Sequence, residues 1–175
     1  SIQDLRNKTI GFGAIDSPQA RLIPINHLHK LGLEFGKDYT EKRFDIGVGL
    51  HGDHVGGELD SAIALKNDEV AATWMLDLNY NAWIADGTLD ENQVKILSKT
   101  DFFDHCIFSG HPELDVTRFE KFIEVLHKMD YNNPDHKEMM DMEGLKEWIS
   151  GRTSGFKQLT KANEYLDFFK EFHGE

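Results

Sequence analysis

One cysteine, Cys106, stands in the whole chain, so no internal disulfide is available. Its setting in the apolar run HCIFSG (105–110) reads as a buried structural thiol rather than a nucleophile. Basic clusters are missing as well. Lys and Arg number 19 against 31 Asp and Glu, a net charge of −12, which argues against nucleic acid or an anionic membrane surface as partner. Any anionic ligand must then be held by local donors. No apolar stretch approaches the roughly 20 residues that a membrane-spanning helix requires. No signal-type segment opens the chain, and a start at Ser1 rather than Met reads as processed or truncated. There is no internal repeat and no low-complexity linker.

What is present suffices for one ordinary domain. The 175 residues are 39% hydrophobic and include 12 Phe, enough for a core without disulfides or metals as staples. Strand-like runs appear at KTIGFG (8–13), EKRFDI (41–46), VAATWML (70–76) and HCIFS (105–109), with a weaker one at VKIL (94–97). Helical patterns lie between them. SPQARLIPINHLHKLG (17–32) offers Ser17 as N-cap, Pro18 at the first helical position, Leu22, Ile25, Leu28 and Leu31 on one face, and Gly32 as a stop. Pro24 is expected to kink it. GELDSAIALKND (57–68) and LNYNAWIADG (78–87) read as two more helices. This alternation predicts an α/β layered fold with a largely parallel sheet. Beyond about residue 110 the pattern turns helical, with amphipathic segments at 115–130 and 160–172 and short helices and turns at 132–155.

The densest run of functional side chains is GVGLHGDHVGG (47–57), two histidines and an aspartate among five glycines. One reading is a metal site. LHGDHVGG (50–57) resembles part of the H-x-H-x-D-H-x-G-G signature of the metallo-β-lactamase superfamily, and SGHP around His111 resembles its downstream ligand motif. That alternative is a metal-dependent hydrolase using His51, Asp53, His54 and His111. Against it, Gly49 occupies the first histidine position, so the site is one ligand short, and too few strands precede the motif. We therefore expect no metal and no cofactor.

A second reading rests on the backbone. Glycines between a strand and a helix let main-chain N–H groups converge at a helix N-terminus, where the dipole also favours an anion. GFGAIDSPQA (11–20) forms an equivalent strand-to-helix turn carrying Asp16, Ser17 and Gln19. Such turns, at the carboxyl ends of parallel strands, are where open α/β sheets bind ligands. ATWMLDLNYNAW (72–83) adds a third strand end with Asp77, Asn79 and Tyr80, Asp77 suited to accept a ligand proton or to pair with an ammonium group. Each feature also has a plain structural explanation: DSP starts helices, glycine-rich loops turn corners, Asp77 can cap a helix, and Trp74 and Trp83 fit the core.

DLRNKTIGFGAIDSPQARLIP (4–24), the histidine-containing glycine loop and AIALKNDEVAATWML (62–76) together resemble the phosphate/phosphite/phosphonate-binding family of ABC-transporter solute-binding proteins. The resemblance covers nearly the whole chain. It implies the second lobe of a type II periplasmic-binding fold, with a mixed, largely parallel sheet flanked by helices over 1–98. A return strand and helical C-terminal segment follow over 99–175, with the first lobe largely missing. It also implies capture of a small anionic or oxyanion-bearing solute without catalysis, a membrane permease as partner, no direct membrane insertion, and an extracytoplasmic location. Carried onto this chain, the ligand-binding residues are Asp16, Ser17, Gln19, His51, His54, Asp77 and Asn79. Ser17 is the one hydroxyl on a turn where the family has several. Between the histidines, His51 lies at the loop apex between Gly49 and Gly52 and is expected to contact ligand, with His54 bracing the loop.

Overall fold

The computed structural model describes residues 1–44, 54–104 and 107–173. The chain divides into two compact units, Ser1–Phe103 with Phe156–Glu175, and Asp104–Gly155. The first unit is built on a central strand, β1 (Thr9–Phe12), paired in parallel with β2 (Thr40–Arg43) in the register Thr9 to Thr40 through Phe12 to Arg43. On its other edge β1 meets the segment around Ala72: Ala71 N–H donates to Thr9 O (2.8 Å) and Gly11 N–H to Ala72 O (2.8 Å). The expected parallel α/β arrangement is thus present, in a sheet smaller than the strand signals suggest. VKIL (94–97) and residues 107–109 take no strand conformation, and residues 105–106 lie outside the described ones. A short apolar run without a neighbouring strand edge to pair with has no ladder to join.

The composition of β1 explains the layering. Side chains alternate faces along a strand. Ile10 and Phe12, both fully buried, point to one face and pack with Leu5, Ile25, Leu28, Leu33 and Tyr39. Each such burial stabilises by about 1.5–3 kcal/mol. The helix on that face, α1 (Ile23–Lys30), follows a π-type turn at Pro18–Leu22. Pro24 therefore lies in the first turn of α1, where its missing N–H costs little, and the expected interior kink is instead this junction of two helical types. Gly32 ends the helix as anticipated, at φ 84°, with Leu33 N–H reaching back to Leu28 O and Gly32 N–H to His29 O, both 2.9 Å. Helix α6 (Lys157–Leu166) also packs on α1, and Tyr165 and Leu166 reach the same core.

The opposite face of β1 carries Thr9 and, toward its carboxyl end, Gly11. Gly11 and Gly13 allow α2 (His54–Lys66) to lie directly on the strand. A Cβ at Gly11 would overlap Ser61 Oγ, and one at Gly57 would lie 2.5 Å from Phe44 O and 3.3 Å from Ala14 N. Helix α2 starts three residues before the expected Gly57, so Gly56 and Gly57 belong to its first turns rather than to the loop. Beyond it, α3 (Asp77–Ala85) buries Trp83 against Ala62 and Leu89. Helix α7 (Phe168–His173) completes the first unit.

The second unit holds α4 (Val116–His127), capped by Asp115 through Arg118 N–H (2.9 Å), and α5 (Pro134–Met142), capped by Asn133. Phe108 packs edge-on to Phe122 and against Trp148, and Met140 is fully buried. Arg152 grips Asp104 through two 2.7 Å bonds, which joins the two ends of the unit.

Substituting Gly57 by Ala should lower stability by about 1–3 kcal/mol, since the obstructing atom is backbone and cannot step aside. Gly151→Ala, with open space around it, should change little. Urea denaturation of both variants checks this; equal stability of Gly57→Ala and the parent would show that α2 does not sit on β1 as described.

Candidate functional site

The turn after β1, the start of α2 and the segment leading into α3 meet around Glu58. The first leads from β1 into the π-type turn. Ser17 is fully buried, and its Oγ accepts the Ala20 N–H (3.1 Å) while its N–H donates to Ala14 O (3.0 Å). Ala14 and Gly13 leave no room for a larger turn: a Cβ at Gly13 would lie 2.7 Å from Ala20 Cβ and 3.9 Å from Glu58 N. Arg21, on the same turn, is 8% exposed and makes a two-pronged pair with Glu41 of β2 (2.7 and 3.3 Å), its third donor going to Ile15 O (3.0 Å). The guanidinium is thereby committed to tying the turn to the sheet.

The second end is the start of α2. Here Glu58 is 1% exposed, a residue the sequence reading did not single out. Its Oε2 accepts the Leu76 N–H (3.0 Å) and the Asn79 side-chain amide (2.8 Å), while Oε1 is buried without a partner. The third end is the segment leading into α3. Leu76 is the N-cap of α3 and brings no capping side chain of its own, so Glu58 supplies the acceptor from a neighbouring helix. Below this, Ser61 and Thr73 share a short hydroxyl contact between α2 and the third strand segment.

The expected site residues fall into place unevenly. Ser17 and Gln19 lie on the first strand end, Asp77 and Asn79 on the third. Gln19 Oε1 is buried and unpartnered. Asp77 is exposed in the first turn of α3, where it accepts the Leu78 N–H (2.9 Å). Asn79 reaches the site through Glu58. Asp16 precedes the cap and is partly buried. His54 is the first residue of α2, whereas His51 and Asp53 lie outside the described residues. His111, in the second unit, accepts the Glu113 N–H (3.2 Å). Among the described residues no group of three or more His, Cys, Asp and Glu side chains is arranged to hold a metal. The signal that would have found Glu58 is an acidic residue directly after two glycines at a helix start, within four residues of the buried Ala62.

Residues 1–156 match the family described as ABC transporter, phosphonate, periplasmic substrate-binding protein. The chain belongs to that family. It is 36% identical over 118 residues to an uncharacterized protein of Haemophilus influenzae, a match spanning 67% of this chain and 86% of the relative. The solved structure of PhnD1 from Prochlorococcus marinus in complex with methylphosphonate superposes with a TM-score of 0.72 at 17% identity. That superposition covers 95% of this chain, which spans 60% of the length of PhnD1. At such identity the likeness shows the fold, and it is the periplasmic-binding α/β fold expected from the sequence. The family is one of transport proteins located outside the cytoplasm, and neither comparison supports the metal-hydrolase alternative. No described helix is long and apolar enough to cross a membrane.

Ser17→Ala removes a buried cap and should lower stability by about 1 kcal/mol in the absence of any solute. Chemical denaturation measures it. An unchanged midpoint would free Ser17 from the structural role its geometry gives it.

Proposed function

We propose that this chain is the solute-capturing part of an ABC-type transporter, holding a small anionic or oxyanion-bearing solute of the phosphonate or phosphate kind and passing it to a membrane permease. No bond is made or broken. Capture takes place outside the cytoplasmic membrane, in the periplasm or on a protein anchored to the membrane's outer face. The observation that carries this reading is the meeting, around Glu58, of the turn after β1, the start of α2 and the segment leading into α3, in a chain of a solute-binding family; the ends of parallel strands are where open α/β sheets hold ligands.

In this reading, main-chain N–H groups at the starts of the helices and a histidine of the 47–57 loop donate to the solute. Asp16, Ser17, Gln19, His51, His54, Asp77 and Asn79 line or brace the site, with His51 in contact and His54 bracing. Enclosure gives such sites their affinity.

A thermal-shift screen against phosphate, alkylphosphonates, sulfate, carboxylates and small amines tests the proposal. A true solute at a hundredfold its Kd should stabilise by about 2.7 kcal/mol, or roughly 5–10 °C for a domain of this size. No shift with any phosphorus oxyanion, alongside a clear shift with another class, would overturn the oxyanion assignment.

For the two histidines, His51→Ala should weaken binding by about 1–3 kcal/mol with little change in Tm. His54→Ala should lower Tm. Calorimetric titration and melting of each variant decide between them, and the opposite pattern reverses the two roles.

A further inference from the structure

A cluster on α1, separate from the solute site, joins three segments of the first unit. His27, half-buried, meets Ser98 Oγ through its Nε2 at 2.8 Å. Its ring stands at 77° to the indole of Trp74, with centroids 5.7 Å apart. Trp74 follows the segment that pairs with β1, and its N–H is buried without a partner, so ring contacts rather than a hydrogen bond position it. Ser98 belongs to 94–103, a stretch without helix or strand that carries the chain out of the first unit toward Asp104. Three side chains fasten this stretch. Leu97, like Trp74, packs against the core on the α1 face of β1, His27 holds Ser98, and Gln158 of α6 donates to the carbonyls of Asp101 and Phe102. Of these three attachments only the histidine titrates.

We propose that His27 is an acid-released latch: as the neutral imidazole it holds Ser98, and with it the 94–103 stretch, against α1 and Trp74, and on protonation it lets the stretch go. The latch is independent of the solute reading. An imidazolium carries two N–H donors, of which Ser98 takes one, and a half-buried place beside an indole hydrates the charge poorly. The charged groups that face the ring are Lys30, on the next turn of α1, and Asp101, three residues beyond Ser98. Burial first and Lys30 second hold His27 below the ordinary histidine range, and Asp101 offsets part of this. Once released, the ring is in water and titrates near the usual value of about 6.5. The latched ring thus binds a proton less readily than the released one. The latch is at full strength above about pH 6.5 and weakens as pH falls below it, by at most about tenfold per pH unit for one proton.

Nuclear magnetic resonance relaxation of the full chain, at about pH 7.5 and about pH 5.5 on either side of the free histidine value, tests this. Backbone order parameters across 94–103 should fall from about 0.85 to below about 0.6 at the lower pH, while those of β1 and α1 stay high. His27→Gln keeps a neutral amide near the Nε2 position and should hold the stretch at both values. Ser98→Ala should leave it loose at both. Unchanged order in the parent would overturn the latch. So would a fall of the same size in His27→Gln, which would assign the acid response to another group, or a fall that extends to β1 and α1, which is general acid unfolding. Ser98→Ala decides the matter if His27→Gln does not fold: a stretch that is still ordered at the higher pH and loosened at the lower one in that variant does not depend on the His27 bond.

Discussion

Backbone lies against backbone where the start of α2 crosses the end of β1, and the rest of the first unit is arranged around that approach. A single methyl group at Gly57 would sit 2.5 Å from Phe44 O, and one at Gly13 would press on Ala20. With Gly11 on one face of the strand's carboxyl end and Ile10 and Phe12 on the other, β1 is covered unequally. Aliphatic and aromatic side chains separate it from α1, whereas almost nothing separates it from α2. The helix is thereby drawn in until its first turns stand beside the turn that follows β1. Packing of this closeness is intolerant of added volume, which is why the local geometry of the site and the stability of the sheet depend on the same residues.

From that contact the polar arrangement follows. Groups carried to the strand ends are buried there, and buried polar groups need partners. Ser17 finds one in Ala20 N–H, Arg21 in Glu41 and Ile15 O, and Ser61 in Thr73. Glu58 completes α3 by accepting from Leu76 and Asn79. The turn, the sheet and the two helices are thus tied by side chains whose hydrogen-bonding capacity is largely consumed by structure. Capacity is left over at Glu58 Oε1 and Gln19 Oε1, both buried without a partner.

Several features were legible in the sequence because they are local. Alternation and flanking turns mark β1. Ser17 before Pro18 is a helix start whatever surrounds it, and Gly32 is a stop because a left-handed residue is needed after α1. Trp83 reads as core from its helical spacing, and it is buried. The segments 94–97 and 107–109 illustrate the converse: an apolar run carries strand propensity, but a strand exists only where an edge accepts it.

Glu58 marks the boundary between the two kinds of information. The sequence by itself determined β1, the helices that flank it, their caps and stops, and the family, since each depends on residues close together in the chain or on a pattern carried by them. Only the tertiary structure decided that Asn79 works through Glu58, and that an acidic residue after two glycines is buried with one oxygen unmet. These facts depend on segments brought together across 18 to 21 positions of chain, Glu58 with Leu76 and Asn79. No local pattern encodes which side chain a helix start will meet once α2 is pressed onto the glycine end of β1.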